Sequence, residues 1–164
     1  MTVADATHLG RADHLKYAED LTIGHDFSLG SHTVTEAELV DFATRWDRQW
    51  FHIDKQAAGH GPFGGLIASG LHTLAILQRL TVESAGRHWA TIAGRGIRDV
   101  RFRSPVRPGD VLTGNVVISD IVFDNRGRAL VTTDCRVVNG EGQVVLTVLI
   151  DAYLHARRFQ SSTT

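Results

Sequence analysis

Hydrophobic and polar positions follow two different periods along this chain. As far as residue 85 the apolar residues recur mostly at helical spacing, and after Gly86 they alternate with polar residues, as in a β-strand. The pattern predicts helices in the first half and a sheet in the second. Residues 21–34, where isolated apolar residues stand among Gly, Ser and Thr, are expected to form a short strand or an extended lead-in segment.

The first half contains signals for two helices and a shorter turn. Thr35 followed by Glu38 fits a capping box, and an apolar stripe continues to Trp46. A shorter helical turn is expected to begin at Asp54. From Ser69 onward the sequence LHTLAILQRL is apolar almost all round, which predicts a helix that is buried on every side.

The second half contains four long β-strand patterns. The last two breaks between them carry Asn and Gly residues that are typical of hairpins, so the flanking strands are expected to be antiparallel neighbours. A long buried helix followed by antiparallel strands predicts an α+β fold in which the sheet wraps around the helix. The strands are expected over residues 91–102, 110–123, 129–139 and 143–155.

Length and composition indicate one domain. A chain of 164 residues, of which 43% are hydrophobic, can bury one core and is short for two. We expect a single domain over residues 16–157, with flexible tails at residues 1–15 and 158–164. The formal net charge of -1 gives no field that would gather nucleic acid or an anionic membrane.

The cysteine content and the hydropathy indicate where the chain resides. Cys135 is the one cysteine, lies in an alternating apolar stretch and cannot form an internal disulfide, so a buried thiol in a reducing compartment is expected. The sequence holds neither a membrane-spanning apolar run nor a basic-then-apolar N-terminal segment. Cytoplasmic residence is therefore expected.

Candidate chemistry is concentrated in one short run and the segment after it. Asp47, Gln49 and His52 place a carboxylate, an amide and an imidazole within six residues, and a Gly-rich approach then leads to the apolar helix at Gly70. A carboxylate with an imidazole can act as a general acid/base pair. The N–H groups at a helix start can stabilise an anion. Addition of water beside a thioester carbonyl requires both.

These residues resemble the MaoC-like dehydratases, a family that includes the (R)-specific enoyl-CoA hydratases. The resemblance spans most of the chain and implies a hotdog fold, in which an antiparallel sheet curls around one long central helix, usually in a dimer. It rests on the spacing from Asp47 to His52, on the Phe63-Gly64-Gly65 loop that leads to Ser69-Gly70, and on Pro105-Val106-Arg107-Pro108-Gly109-Asp110.

The chain departs from the family pattern at three positions. Active members commonly carry Asp-x-Asn-Pro-x-His, whereas Gln49 and Trp50 stand here in place of Asn and Pro. The exchange of Pro for a large indole is expected to affect substrate size more than the chemistry. Ser69 stands where the family often has His, a change that we expect to be tolerated because a backbone N–H is the expected donor there.

The resemblance and the chemistry together suggest a role for each candidate. Asp47 is expected to orient and deprotonate water, His52 to complete its hydrogen bonding and relay a proton, and the Gly70 N–H to hold the charge on the thioester oxygen. Which of the two side chains protonates C2 stays open. The expected enzyme is a hydro-lyase that converts a 2-enoyl thioester into a 3-hydroxyacyl thioester, with R configuration.

The remaining site predictions have structural alternatives. Gln49 could prop the acid or serve as a structural amide, the loop glycines could serve turn geometry alone, and His72 could be a core or interface histidine. Five arginines near the third quarter of the chain could meet CoA phosphates or form a solvated strand face: Arg95, Arg98, Arg101, Arg103 and Arg107. The predicted substrate contacts are Gln49, Trp50, Phe63, Gly64, Gly65, Ser69 and His72.

No metal or redox cofactor is expected, because the thioester already activates the α-proton and the β-carbon. CoA or the phosphopantetheine arm of an acyl carrier protein would be the substrate handle. Two other functions stay open: a hotdog acyl-CoA thioesterase, and a non-catalytic acyl-thioester-binding subunit in which Trp50 blocks the water site.

A homodimer, or an oligomer of dimers, is expected to cover an open sheet edge. The strand over residues 111–123 is rich in β-branched residues and is the segment that favours edge pairing.

Overall fold

Six antiparallel strands and four α-helices make up residues 15–157, which are the residues that the computed structural model describes. The tails predicted at residues 1–15 and 158–164 lie outside this range, apart from residue 15. No helix within it is long and apolar enough to cross a membrane. The strands are β1 (Asp26–Ser28), β2 (His32–Thr33), β3 (Thr91–Phe102), β4 (Val111–Phe123), β5 (Arg128–Val138) and β6 (Val144–His155). The helices are α1 (Glu36–Trp46), α2 (Trp50–Ile53), α3 (Lys55–Gly59) and α4 (Gly70–Ser84).

The sheet has the order β1-β4-β5-β6-β3, and β2 also pairs with β4. All of these pairings are antiparallel. The two hairpins predicted from Asn and Gly residues connect β4 to β5 and β5 to β6, and Gly127 and Gly142 adopt positive φ values of 72° and 78° in their turns. The α+β fold with four long strands is therefore confirmed.

The core lies between α4 and the sheet. One face of α4 buries Ile76, Leu77 and Leu80, which belong to the same apolar cluster as residues of the long strands such as Cys135 and Val148. This burial removes apolar surface from water and supplies most of the driving force that holds the helix on the sheet. Cys135 is fully buried, and burial raises the pKa of its thiol to about 11, so this thiol is inert at neutral pH.

The opposite face of α4 is exposed, so the prediction of a helix buried on every side is wrong for the single chain. Leu71 and Val82 on this face are 53% and 44% exposed. The physical reason is geometric: one sheet covers one side of a helix, and a second surface would be needed to cover the other.

The open sheet edge is β3, whereas the sequence suggested residues 111–123. That segment forms β4, which is paired with β5 on one side and with β1 and β2 on the other. Strand β3 ends the sheet, is interrupted by three register shifts and exposes Ile97 and Phe102. The two short strands β1 and β2 pair with residues of β4 between Val111 and Val117, and their position could be decided only by tertiary pairing.

The caps predicted for two helices form, with one difference. The Thr35 hydroxyl accepts the Glu38 N–H at 3.2 Å at the start of α1, and the Asp54 carboxylate accepts the Ala57 N–H at 2.9 Å at the start of α3. The other half of the capping box is absent from α1. Glu38 instead directs its carboxylate toward His32, at 2.6 Å.

Candidate active site

Three helix ends converge on the residues predicted to carry the chemistry. Asp47 is the C-cap residue that follows α1, α2 contains His52, and α4 begins at Gly70. Two backbone hydrogen bonds turn the chain sharply between α1 and α2: Gln49 N–H donates to the Asp47 carbonyl at 2.8 Å, and His52 N–H donates to the Gln49 carbonyl at 2.9 Å. This turn brings the acid and the imidazole to the same place.

The carboxylate of Asp47 lies between His52 and Ser69. Its Oδ2 is 3.5 Å from His52 Nε2, and it accepts a hydrogen bond of 2.7 Å from the Ser69 hydroxyl. Ser69 is fully buried, and its oxygen also accepts the Leu71 N–H at 3.2 Å, which makes Ser69 the N-cap of α4. A single hydroxyl therefore connects the acid to the start of the central helix.

The tautomer of neutral His52 follows from its second nitrogen. Nδ1 lies 2.6 Å from the Ile67 carbonyl, which can only accept, so Nδ1 carries the proton. In the neutral ring Nε2 is then an acceptor beside the Asp47 carboxylate. The carbonyl is held in place because Ile67 N–H donates to Phe51 and Ala68 N–H donates to Val106, at 3.2 and 2.8 Å. Two acceptors at this separation can receive the two protons of one water molecule.

The first N–H of α4 completes the arrangement. Among residues 15–157, none accepts a hydrogen bond from the Gly70 N–H, whereas the N–H groups of the next three residues all bond to Ser69. The positive end of the helix dipole lies here. A Cβ on residue 70 would stand 2.6 Å from the Phe102 ring, so the close approach of that ring requires glycine.

A cavity of about 330 Å³ opens beside these groups. Of the predicted site residues, His52, Phe63 and Gly70 line it, and Asp47 stands behind them, next to His52 Nε2. Sequence reasoning singled out Arg103, Pro105 and Val106 but none of the remaining residues of the other walls. These walls are formed by Ile67, Ala68, Thr73, Val145 and the segment 102–106. A second cavity of about 620 Å³ lies between the last turns of α4 and strands β5 and β6.

The structure leaves Gln49 and Trp50 outside the cavity. Gln49 is exposed and precedes α2 without a side-chain cap, and within the described residues its side-chain amide makes no hydrogen bond to the Asp47 carboxylate. The Trp50 indole lies over Gly61 and meets the Phe51 ring edge-on, with 5.3 Å between centroids. Within the described residues Trp50 therefore does not block the position between Asp47 and His52.

The loop glycines have structural explanations. Gly64 has a φ of 66°, in the left-handed region that favours glycine, and an added Cβ would meet open space. Gly65 packs beside the Arg107 guanidinium, which in turn donates to the Phe63 carbonyl at 2.7 Å. The arginine thus fastens the Gly-rich loop to the segment after β3.

His72 turns away from the cavity and toward α1. Its ring stacks on Phe42, with 4.7 Å between centroids and an angle of 10°, and its Nε2 lies 3.5 Å from Glu38 Oε1. Burial lowers the pKa of His72, an effect that the Glu38 carboxylate opposes and His32 reinforces. His72 therefore belongs to the contact between the two helices.

The arginines divide into two groups. Arg98 makes two hydrogen bonds to Asp151, at 2.7 and 2.9 Å, and so belongs to a sheet ion pair. Arg103 lines the smaller cavity, and Arg107 stands at its loop. A signal for this wall was present in the sequence, because Arg103 lies two residues before Pro105, where the segment that carries the family resemblance begins. No cluster of three or more His, Cys, Asp or Glu suited to a metal ion occurs in the described part of the chain.

Comparisons with known proteins show the family of the chain. A family model described as a MaoC like domain matches residues 20–140. The uncharacterized protein YdeM of Bacillus subtilis is 36% identical over 102 residues, which are 62% of this chain and 72% of that protein. The 3-hydroxyacyl-thioester dehydratase Z of Mycobacterium tuberculosis is 40% identical over 79 residues, 47% of this chain and 52% of that protein, so the match spans about half of that relative.

A solved structure confirms the architecture. The crystal structure of the MaoC-like dehydratase from Rhodospirillum rubrum has a TM-score of 0.78 and 36% sequence identity, and the match covers 87% of this chain and 98% of that one. The hotdog fold implied by the resemblance is therefore confirmed.

Proposed function

Since the chain belongs to the MaoC-like dehydratase family, we propose that it adds water reversibly to the C2=C3 bond of a 2-enoyl thioester. The product is a 3-hydroxyacyl thioester, with R configuration at C3. The observation that carries the proposal is the meeting of Asp47 and His52 Nε2, 3.5 Å apart, beside a helix start whose first N–H has no acceptor among the described residues. The relative from Mycobacterium tuberculosis is named a 3-hydroxyacyl-thioester dehydratase, a name that denotes the reverse direction of the same reaction.

Hydration begins with the activation of water. A water molecule that donates to Asp47 Oδ2 and to His52 Nε2 directs its oxygen lone pair at C3 of the bound substrate. As the C3–O bond forms, the proton moves to one of these two acceptors, and the C2=C3 π electrons move toward the thioester. The proton on Nδ1 stays donated to the Ile67 carbonyl oxygen, and this hydrogen bond holds the ring in the tautomer that leaves Nε2 as the base.

The negative charge that develops on the thioester oxygen meets the start of α4. The Gly70 N–H donates to this oxygen, and the helix dipole adds a favourable field there. The absence of a Cβ at residue 70 lets the Phe102 ring pack against this helix start and form the cavity wall beside it. The enolate then takes a proton at C2 and the thioester is restored. In the dehydration direction the same groups exchange roles.

The reaction in this form needs neither a metal ion nor a redox cofactor, because the thioester itself makes the β-carbon electrophilic. The handle is CoA or a carrier-protein phosphopantetheine. Arg103 and Arg107, near the smaller cavity, suit its anionic phosphates. Cytoplasmic residence stays a prediction.

We further propose that the chain works as a homodimer. Strand β3 leaves a 12-residue edge open, and α4 exposes Leu71 and Val82 on the side that the sheet does not cover. Pairing of β3 with β3 of a second copy would close the edge and bring the two exposed α4 faces toward each other. An oligomer of dimers would use further surfaces.

The purified chain tests the proposal with crotonyl-CoA and longer 2-enoyl-CoAs. Loss of the enoyl absorbance without release of free thiol, with an R product on chiral analysis, is the expected result. Release of free thiol would instead identify a thioesterase. Tight acyl-CoA binding without turnover of any enoyl-CoA would identify a non-catalytic binding subunit, and either result would overturn the proposal.

A further inference from the structure

A second cluster of ionisable side chains connects α1 to α4 on the side away from the cavity. Glu38 Oε1 is 2.6 Å from His32 Nε2 and 3.5 Å from His72 Nε2. Phe42, one turn further along α1, stacks flat on the His72 imidazole. The Glu38 carboxylate therefore contacts two imidazoles, which belong to two different elements. None of these three side chains lines the cavity of about 330 Å³.

The His72 ring is held in an unusual way. The side chain is 9% exposed, and its Nδ1 has no hydrogen-bond partner within the described residues. A buried nitrogen without a partner lowers stability relative to an apolar ring of similar shape, which would stack on Phe42 equally well. Packing of α4 on α1 therefore does not explain why an imidazole stands here, whereas the Nε2 contact with Glu38 does.

The position of the cluster relates it to the reacting groups. His72 is the third residue of α4, and Gly70 is the first. Glu38 is in the first turn of α1, and Asp47 lies at its end, about 13 Å away along the helix axis. Ser69 and Asp47 form one connection between the two helices, and His72 and Glu38 form the other. Two separated connections set both the distance and the rotation of one helix relative to the other.

We infer that Glu38 and His72 are positioning residues for the hydration site, which hold the first turn of α4, with the Gly70 N–H, in register with Asp47. The inference rests on the proposed function. The core contacts of α4 lie at Leu74 and beyond. With the Ser69 connection alone, the first turn of α4 could therefore shift and turn the Gly70 N–H away from the thioester oxygen. Small displacements of this kind reduce the chemical step strongly while they leave substrate binding nearly unchanged.

The substitutions His72→Phe and His72→Gln separate this role from packing. Phe keeps the stacking on Phe42 and removes the unpartnered nitrogen, so we expect an unchanged or raised melting temperature, an unchanged KM and a kcat lowered about tenfold. Gln places an amide N–H where Nε2 was, so it is expected to restore most of the kcat. A His72→Phe enzyme with the parental kcat, or a His72→Gln enzyme no better than it, would overturn the inference.

Glu38→Gln provides a second test if the Phe variant does not fold. Its matched control is Glu36→Gln, the same change two residues earlier in the same helix, where the carboxylate pairs only with the exposed Lys55 at 2.8 Å. We expect a lowered kcat with unchanged KM for Glu38→Gln alone, and equal kcat values in the two variants would contradict the inference. If the parental chain does not hydrate any enoyl-CoA, the proposed function fails first and this inference fails with it.

Discussion

Ser69 Oγ donates a hydrogen bond to Asp47 Oδ2 across 2.7 Å while it caps α4 through the Leu71 N–H. The same hydroxyl thus orients the carboxylate beside His52 and determines where the helix that carries Gly70 begins. Stability and catalysis should therefore respond together to a change at this residue, although for different reasons.

Ser69→Ala removes both hydrogen bonds. We expect a loss of about 1 kcal/mol in the free energy of unfolding, as for other lost N-caps. The hydration kcat should fall about tenfold, because the carboxylate loses its support. Urea unfolding and steady-state hydration of crotonyl-CoA measure the two effects. Asp54→Ala, which removes the cap of the short surface helix α3, is the control: it should cost similar stability and leave kcat near the parental value.

Asp47→Asn and His52→Ala each remove one acceptor from the proposed water site. Each change should lower turnover about a hundredfold or more, because the water loses a base. Circular dichroism should show the same secondary structure as the parent. Asp41→Asn, at an exposed position of α1 where the carboxylate pairs with Arg45 at 3.0 Å, should retain the full rate. Near-parental hydration by both site variants would refute the assigned roles.

Phe102→Ala enlarges the cavity next to Gly70. We expect kcat/KM to shift toward longer enoyl-CoAs relative to crotonyl-CoA, because the ring lies within van der Waals reach of the helix start. Trp50→Ala should leave this preference unchanged, since the indole lies over Gly61 outside the cavity. The sequence alone suggested the opposite assignment. If the Trp50 variant changed the preference for acyl-chain length and the Phe102 variant did not, Trp50 and not Phe102 would be the residue that controls substrate size.

The Arg98–Asp151 pair predicts a pH-dependent stability. The hydrogen bonds from Arg98, with a smaller contribution from Thr132, lower the pKa of the Asp151 carboxyl, while burial acts in the opposite direction. A pKa that is lower in the folded state means that the stabilisation is present above the ordinary value of about 4 and is lost as the pH falls through the folded-state value. Arg98→Leu should therefore destabilise the protein at neutral pH and less so in acid.

Urea midpoints at neutral pH and at about pH 3 measure this difference. Arg45→Leu breaks an exposed ion pair within α1 and should change the midpoint little at either pH. An Arg98→Leu midpoint that is displaced equally at both pH values would show that the guanidinium contributes by packing rather than by charge.

Val82→Arg tests the proposed dimer. Val82 lies on the exposed face of α4, and a cation there would have to be desolvated if two α4 helices met. Light scattering at micromolar concentration should give a dimer for the parent and a monomer for the variant. Val122→Arg is the matched control, because Val122 is similarly exposed at the far end of β4, and this variant should remain dimeric. A monomeric parent would exclude the dimer directly.

Much of the site could be predicted because it is local. Asp47 and His52 are five positions apart in the chain, and two backbone hydrogen bonds of a single turn bring them together. The start of α4 at Gly70 likewise follows from a capping residue before an apolar run. The roles of Trp50 and His72 could not be obtained in this way, because the direction of each ring depends on Gly61, Phe42 and the packing of separate elements.

Residue order by itself determined the four long strands, the helices that begin after Thr35 and after Ser69, the two hairpins and the acid-to-imidazole spacing, because periodicity, turn residues and short loops act over a few positions. The division of residues 21–34 into β1 and β2, and helix α2, were not predicted. Tertiary structure alone decided that Ser69 holds Asp47, that Phe102 covers Gly70 and that β3 is the open edge. The two contacts each join residues more than twenty positions apart in the chain. The open edge depends on the order in which the strands lie in the sheet. The physical reason is that side-chain packing between distant segments leaves no periodic trace in the sequence.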